Sequence, residues 1–302
     1  MTRFRKAICE SVASLLLAGT TACGPRTHVV AVRDDGSPGD AGGHFGVPVP
    51  IPLLAPGELA QDPTLTADEL DLFFASDKNG DLDIWTTSRP AIGRPWGPAR
   101  RVDELSTTSA DGEPEVSPDG LTLYFSSDRT GAAGGFRIWI SRRAQRADPW
   151  DTPLALALGA GTSFRGPAVD SRSVTLVFAS VGDSRDFDLY AASRPSETAP
   201  WETPALITEV NTPWYDWDPA LYRDGLGLAF GSRRDGDHTA SDLFQSVRAS
   251  ATAPFSAGEA LSELNTAASE GDPWLSNDGQ HIVFASERDG VSKIYEAWRA
   301  AR

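Results

Sequence analysis

The chain has 302 residues, 40% of them hydrophobic and 23% charged, so most of it can fold around an apolar core as one large domain or two ordinary ones. Asp+Glu number 42 against Lys+Arg 27, a formal −15, which argues against nucleic acid or an anionic membrane surface as the main partner. The two cysteines (Cys9 and Cys23) lie near the N-terminus and the four histidines (His28, His44, His238, His281) lack ligand spacing, which excludes a disulfide framework and a Cys-rich zinc site.

Arg3, Arg5 and Lys6 precede a short apolar run, Val12 to Ala18, and Thr20-Thr21-Ala22 then lead into Cys23. A run this short does not span ~30 Å of hydrocarbon as a helix, so a processed signal is expected and not a membrane span. The segment resembles a bacterial lipoprotein signal peptide, with Thr20 where that family usually has Leu. The resemblance implies cleavage before Cys23, a lipid on its thiol, and a cell-envelope protein facing the periplasm or cell surface. The membrane would then be touched through that lipid only. Removing residues 1–22 takes away three basic residues (Arg3, Arg5, Lys6) and one acid (Glu10) and leaves the mature chain at −17. Residues 23–46 are rich in Gly, Pro and Asp and are expected to form a flexible tether, with His28 and His44 as solvated linker histidines.

Beyond the tether the chain repeats itself. The run Leu72-Phe73-Phe74-Ala75-Ser76 returns as Leu123 to Ser127, Leu176 to Ser180, Leu228 to Ser232 and Ile282 to Ser286, its serines 51, 53, 52 and 54 residues apart. Asp62-Pro63, Glu113-Pro114, Gly166-Pro167, Asp218-Pro219 and Asp272-Pro273 keep the same beat. Each repeat begins with a short strand whose first residue is the proline, where a missing N–H costs little. Asp119-Gly120, Asp224-Gly225 and Asp278-Gly279 are expected as two-residue hairpin turns. The apolar run follows, then a Gly/Asp loop, then a third strand such as Asp83-Ile84-Trp85. A loop carrying Pro95-Trp96, Pro149-Trp150, Pro200-Trp201 or Pro254-Phe255 leads to a fourth strand such as Ala99 to Leu105.

Four strands per repeat of about 50 residues predict an all-β fold, a five-bladed β-propeller of four-stranded antiparallel blades over residues 47–302. The repeats lie near 62–105, 113–158, 166–210, 218–264 and 272–300. The last stops after its third strand, and Val47 to Leu54 is an orphan strand candidate. The prediction is that Val47 to Leu54 pairs beside Lys293 to Trp298 as the outermost strand of the last blade and closes the ring. A monomer is expected.

The string Ser117-Pro118-Asp119-Gly120-Leu121-Thr122-Leu123-Tyr124-Phe125-Ser126-Ser127-Asp128-Arg129-Thr130-Gly131 resembles the WD40-like propeller repeat of TolB-type periplasmic proteins. Ser276-Asn277-Asp278-Gly279 through Ser286-Glu287-Arg288-Asp289-Gly290, with Ile294-Tyr295, matches it again. Repeats one and three depart at the turn, with Asp68-Glu69 and Arg172-Ser173. By that resemblance TolB has six blades and an extra N-terminal domain, for which this length leaves no room. The resemblance therefore implies a secreted propeller acting as a protein- or glycan-binding scaffold, with an envelope protein or glycan as partner and no nucleic acid.

Loops entering the first strand of a blade share one face with loops joining its second and third strands. Candidates at that channel mouth are Asp62, Glu113, Arg165, Asp216, Asp218, Glu270 and Asp272. Five-bladed propellers also include glycoside hydrolases, so the alternative is a channel-centred carbohydrate-active enzyme using two of these carboxylates. The acid before proline recurs in four of five repeats, which favours a structural duty and no catalytic role. Trp214, Tyr215 and Trp217 break the repeat beside Asp216 and Asp218 and are expected either to engage a sugar face or peptide or to plug the channel. Trp85, Trp139, Tyr190, Trp96, Trp150 and Trp201 recur and are expected to pack between blades. No cofactor is expected. Calcium is a weak candidate at Asp77, Asn79, Asp81 and Asp83, where oxygen side chains alternate without the bidentate Glu of an EF-hand. Related loops near Asp183 and Asp235 are weaker still. His238 sits in a polar loop and His281 on the solvent-side phase of its strand.

Overall fold

A computed structural model describes residues 43–129, 135–159, 163–181, 186–235 and 239–299. The expected signal segment, Cys23, His28, His238, most of the expected tether and part of the loops near Asp183 and Asp235 lie outside them. The five apolar runs become the second strands of five four-stranded antiparallel sheets: Asp71–Ser76, Thr122–Ser127, Thr175–Val181, Gly227–Ser232 and His281–Ser286. They are buried nearly end to end, because a neighbouring sheet covers each face, and so they read as continuous apolar runs with no alternation.

The inner strands (Gln61–Leu65, Asp111–Val116, Phe164–Val169, Asp216–Tyr222 and Glu270–Leu275) stand around an axis, each packed on the next and the fifth on the first. These sheets are the blades of a five-bladed propeller, numbered 1 to 5 in that order. Third strands are Asp83–Ser88, Arg137–Arg142, Phe187–Ser193, Asp242–Val247 and Lys293–Trp298. The described apolar core falls into five clusters, one per seam; Phe73 and Ile84 of blade 1, for example, meet Val116, Phe125 and Trp150 of blade 2. A single blade has no such second face, so each blade's core is completed only by its neighbours.

Val49 and Pro50 pair antiparallel with Glu296 and Tyr295 and form the outer strand of blade 5, as the orphan segment predicts. Ile51 N–H donates to Ile294 O at 2.8 Å, repeating the bonds Val102–Ile84, Leu156–Ile138, Ile207–Leu189 and Leu261–Leu243 of the other blades. Phe45 completes a second series. In each blade an arginine after the third strand stacks on an aromatic ring from the next loop: Arg89 on Trp96, Arg143 on Trp150, Arg194 on Trp201 and Arg248 on Phe255, at 4.1–4.6 Å. Arg299 does the same on Phe45 at 4.1 Å, and Gly46 N–H donates to Trp298 O at 2.8 Å. Arg299 Nη1 also donates to Gly43 O at 2.7 Å, so the bonded segment reaches at least four residues into the expected tether. The 51-residue step from Phe45 to Trp96 carries this signal in the sequence.

Three expectations are corrected. The outer strands are two residues long (Val49–Pro50, Arg100–Arg101, Leu154–Ala155, Ala205–Leu206, Glu259–Ala260), because the chain turns inward at once to bury residues such as Val102 and Leu105. The turns after Ser117 and Ser276 are four-residue turns: Gly120 N–H bonds Ser117 O and Gly279 N–H bonds Ser276 O, with the glycine supplying positive φ and the aspartate accepting from the residue two on. The repeated prolines lie within the inner strands and not at their first residues.

Candidate functional site

In each inner strand the pairing register shifts across the residue before proline. That extra residue (Asp62, Glu113, Gly166, Asp218 or Asp272) is left-handed, with φ between 50 and 57°. Proline suits the next position because its absent N–H would have no ladder partner at a bulge. The bulge re-aims the acid out of the pleat toward the axis.

There each carboxylate meets the next blade. Asp62 N–H donates to Asp272 Oδ2 at 3.1 Å, Glu113 N–H to Asp62 Oδ2 at 3.0 Å, and Gly166 N–H to Glu113 Oε2 at 2.8 Å. The Asp218 and Asp272 carboxyl groups hydrogen-bond each other. Blade 3 interrupts the series, since Gly166 has no carboxylate to offer blade 4. Its neighbour Arg165 instead reaches Glu113 Oε1 at 2.8 Å and lies 4.2 Å over the Phe136 ring. With Glu115 and the five prolines, Asp62, Glu113, Gly166, Asp218 and Asp272 line the channel.

Burial sets the protonation of this ring. It raises Asp62 well above the ordinary range, helped by the charges of Asp272 and Glu113. Burial and then Asp218 raise Asp272 in the same direction. Burial pushes Asp218 up to about 7, against a lowering hydrogen bond from Asp272. Glu115 also rises to about 7 by burial, although Thr64 Oγ1 donates to it at 3.0 Å. Glu115 escaped the sequence reading because it follows a proline and has Thr64 as its blade-1 counterpart, so no repeat marks it.

Asp216 and Glu270, expected at the channel mouth, are elsewhere. Each is fully buried at the start of its inner strand, equivalent to Asp111. Arg234 Nη2 pairs with Asp216 at 2.6 Å, Arg288 with Glu270 at 3.4 Å and Arg129 with Asp111 at 2.7 Å. The repeated serine seats each arginine: Ser127, Ser232 and Ser286 Oγ accept from Nε at 3.1, 2.8 and 2.8 Å. The carboxylates also accept Thr107, Thr212 and Thr266 N–H. Removing one partner of such a pair strands a buried charge. Asp216→Ala is therefore expected to lower stability by about 3–5 kcal/mol, checked by urea denaturation, with Arg234→Ala close behind.

The aromatic loop divides. Trp217 is half-buried against the seam of blades 3 and 4, edge-on to Tyr215 at 5.5 Å, and Arg233 lies over both rings. Tyr215 also meets Phe187 at 6.3 Å. Those two rings pack the seam, whereas Trp214 is 42% exposed on the face that carries the channel mouth. In the calcium candidate, Asp83 is buried and held by Arg101 at 2.7 and 2.9 Å, while Asp77, Asn79 and Asp81 lie in an exposed turn. Among the described residues no three acids or histidines converge on a cation position. His281, expected on the solvent side, is 2% exposed because Trp274 and Trp298 flank it.

Together these features define a five-bladed propeller of TolB-type fold with a repeat-derived acidic axis. No family model matches the chain. It is 28% identical over 189 residues, 62% of its length, to the uncharacterized peptidase YuxL of Bacillus subtilis (strain 168), and spans 24% of that protein. Among solved structures it is similar to TolB from Acinetobacter baumannii (14% identity, TM-score 0.53, 89% of this chain and 66% of that one). It is also similar to the endo-arabinase from Bacteroides thetaiotaomicron VPI-5482 (15%, TM-score 0.58, 85% and 98%). A third is Zg3597, a family 117 glycoside hydrolase of the marine bacterium Zobellia galactanivorans (11%, TM-score 0.57, 85% and 90%). These likenesses establish the propeller fold.

Proposed function

We propose that the protein is a binding propeller of the cell envelope, tethered by a lipid on Cys23, which presents its channel-mouth face to an envelope protein or glycan. The observation that carries this reading is the engagement of the channel acids. Asp62, Glu113 and Asp272 each hold the next blade's backbone N–H, and Asp218 is bonded to Asp272, so the repeated carboxylates join blades. Binding then falls to the part of the mouth that departs from the repeat, blades 3 and 4, with Trp214 as the exposed anchor. Truncating an anchor aromatic commonly costs ~2 kcal/mol or more of binding. Trp214→Ala is expected to weaken capture of partners from solubilised envelopes, or of a glycan on an array, at least tenfold with the melting temperature unchanged. Unaltered capture by this variant places the partner elsewhere.

One observation favours a second reading. Asp218 keeps its proton to about pH 7, as a general acid must. Glycoside hydrolysis resting on it would release reducing sugar from arabinan or aryl arabinosides, and Asp218→Asn would abolish that release. No release by the wild-type protein removes this reading.

A further inference from the structure

Away from the channel, the seam between blades 5 and 1 carries a buried histidine that neither the repeat nor the binding face accounts for. His281 opens the second strand of blade 5, where the other blades have Asp71, Thr122, Thr175 and Gly227. Its Nδ1 lies 3.0 Å from Glu69 Oε2 in the first turn of blade 1. Its Nε2 lies 3.3 Å from Glu296 Oε2 on the third strand of its own blade. Trp298 stacks parallel on the ring at 4.3 Å and Trp274 meets it edge-on at 5.8 Å. The charged groups facing the imidazole are thus Glu69 and Glu296, and among the described residues Arg89 is the cation paired with them, 3.3 Å from Glu69.

A neutral imidazole has one N–H and can serve only one of the two carboxylates. An imidazolium serves both, and its charge is favoured by the indole face beneath it. Nε2 and Glu296 Oε2 lie buried 3.3 Å apart and neither makes a hydrogen bond, so what offsets their burial is the ion pair that a protonated ring forms with the carboxylate. We propose that this seam is a protonation-dependent clasp, closed when His281 carries two protons and joins Glu69 of blade 1 to Glu296 of blade 5, and loosened when it loses one. Burial pulls the histidine's pKa down, but the carboxylates of Glu296 and Glu69 outweigh it and the net shift is upward. With the folded value raised, the contribution is complete below about pH 6.5 and is lost as pH rises through the folded value. The clasp acts at the blade that the N-terminal segment completes, so it couples the ring's closing joint to proton concentration.

The test compares melting temperatures of the wild-type protein and His281→Gln from pH 5.5 to 9.5. The channel acids titrate alike in both proteins, so the difference between the two curves isolates His281. The expected gap is at least about 5 °C at pH 6, shrinking toward zero by pH 9.5. A gap that does not change with pH overturns the proposal. Should His281→Gln fail to fold, proton NMR of the wild-type imidazoles decides. A buried ring with a titration midpoint above 6.5, lowered in Glu296→Gln, is expected, and a midpoint at or below 6.5 overturns the clasp.

Discussion

A chain beginning at residue 55 is expected to melt about 15 °C or more below one beginning at residue 43, or to fail to fold. Residues 43–54 supply the outer strand of blade 5, the ring under Arg299 and two apolar plugs: Phe45 in the seam of blades 4 and 5, and Ile51 in the seam of blades 5 and 1. Both are 5% exposed. Emptying one such site by truncation to alanine costs about 2–5 kcal/mol. Losing both, with the bonds to Ile294 and Trp298, amounts to roughly 5–9 kcal/mol, on the scale of a whole domain's stability. For a domain of this size each kcal/mol is about 2–4 °C. Differential scanning calorimetry of the two chains checks this; equal melting temperatures would mean that the ring closes without the segment.

The second large effect is on pH. The unfolded chain releases an aspartate proton near 3.8, whereas Asp218 in the channel keeps its proton to about 7 and Asp62 and Asp272 shift the same way. Between those values the folded state binds more protons than the unfolded one, so stability falls as pH rises from about 4 to about 7. The Asp218 shift alone corresponds to roughly 2.6 kcal/mol, or about 5–10 °C in melting temperature, between pH 5 and pH 8. Asparagine keeps the accepting oxygen, tolerates the left-handed backbone and mimics the protonated acid. Asp272→Asn should accordingly raise the melting temperature at pH 8 and flatten its pH dependence. Asp272→Ala, which loses the acceptor for Asp62 N–H, should lower it at both pH values. A wild-type protein more stable at pH 8 than at pH 5 would contradict the protonation assigned to the ring.

The fold was legible because propeller geometry imposes one constraint five times. The apolar runs, the acid–proline pairs and the missing outer strand each follow from blades that need two covered faces and a closed ring. Details fixed between blades were less visible. Asp216 and Asp218 look alike in the sequence, yet the first meets Arg234 and the second the channel, because one residue between them and a bulge reverse their directions. The arginines that would have told them apart stand 18 residues downstream, at Arg129, Arg234 and Arg288. His281 was misplaced because alternation describes a sheet with one solvated face, and a blade's second strand has none. Its partner Glu69 is 212 residues away, a separation that no local pattern spans.

The claim on which the functional reading turns is that the channel acids join blades and are not poised around a substrate. A crystal structure grown near pH 7 in the presence of arabino-oligosaccharides tests it most directly. The account predicts Asp62 N–H on Asp272, Glu113 N–H on Asp62, Gly166 N–H on Glu113, a shared proton between Asp218 and Asp272, and only water in the channel. Two of these carboxylates standing free, ~5–10 Å apart across a bound sugar, would contradict it.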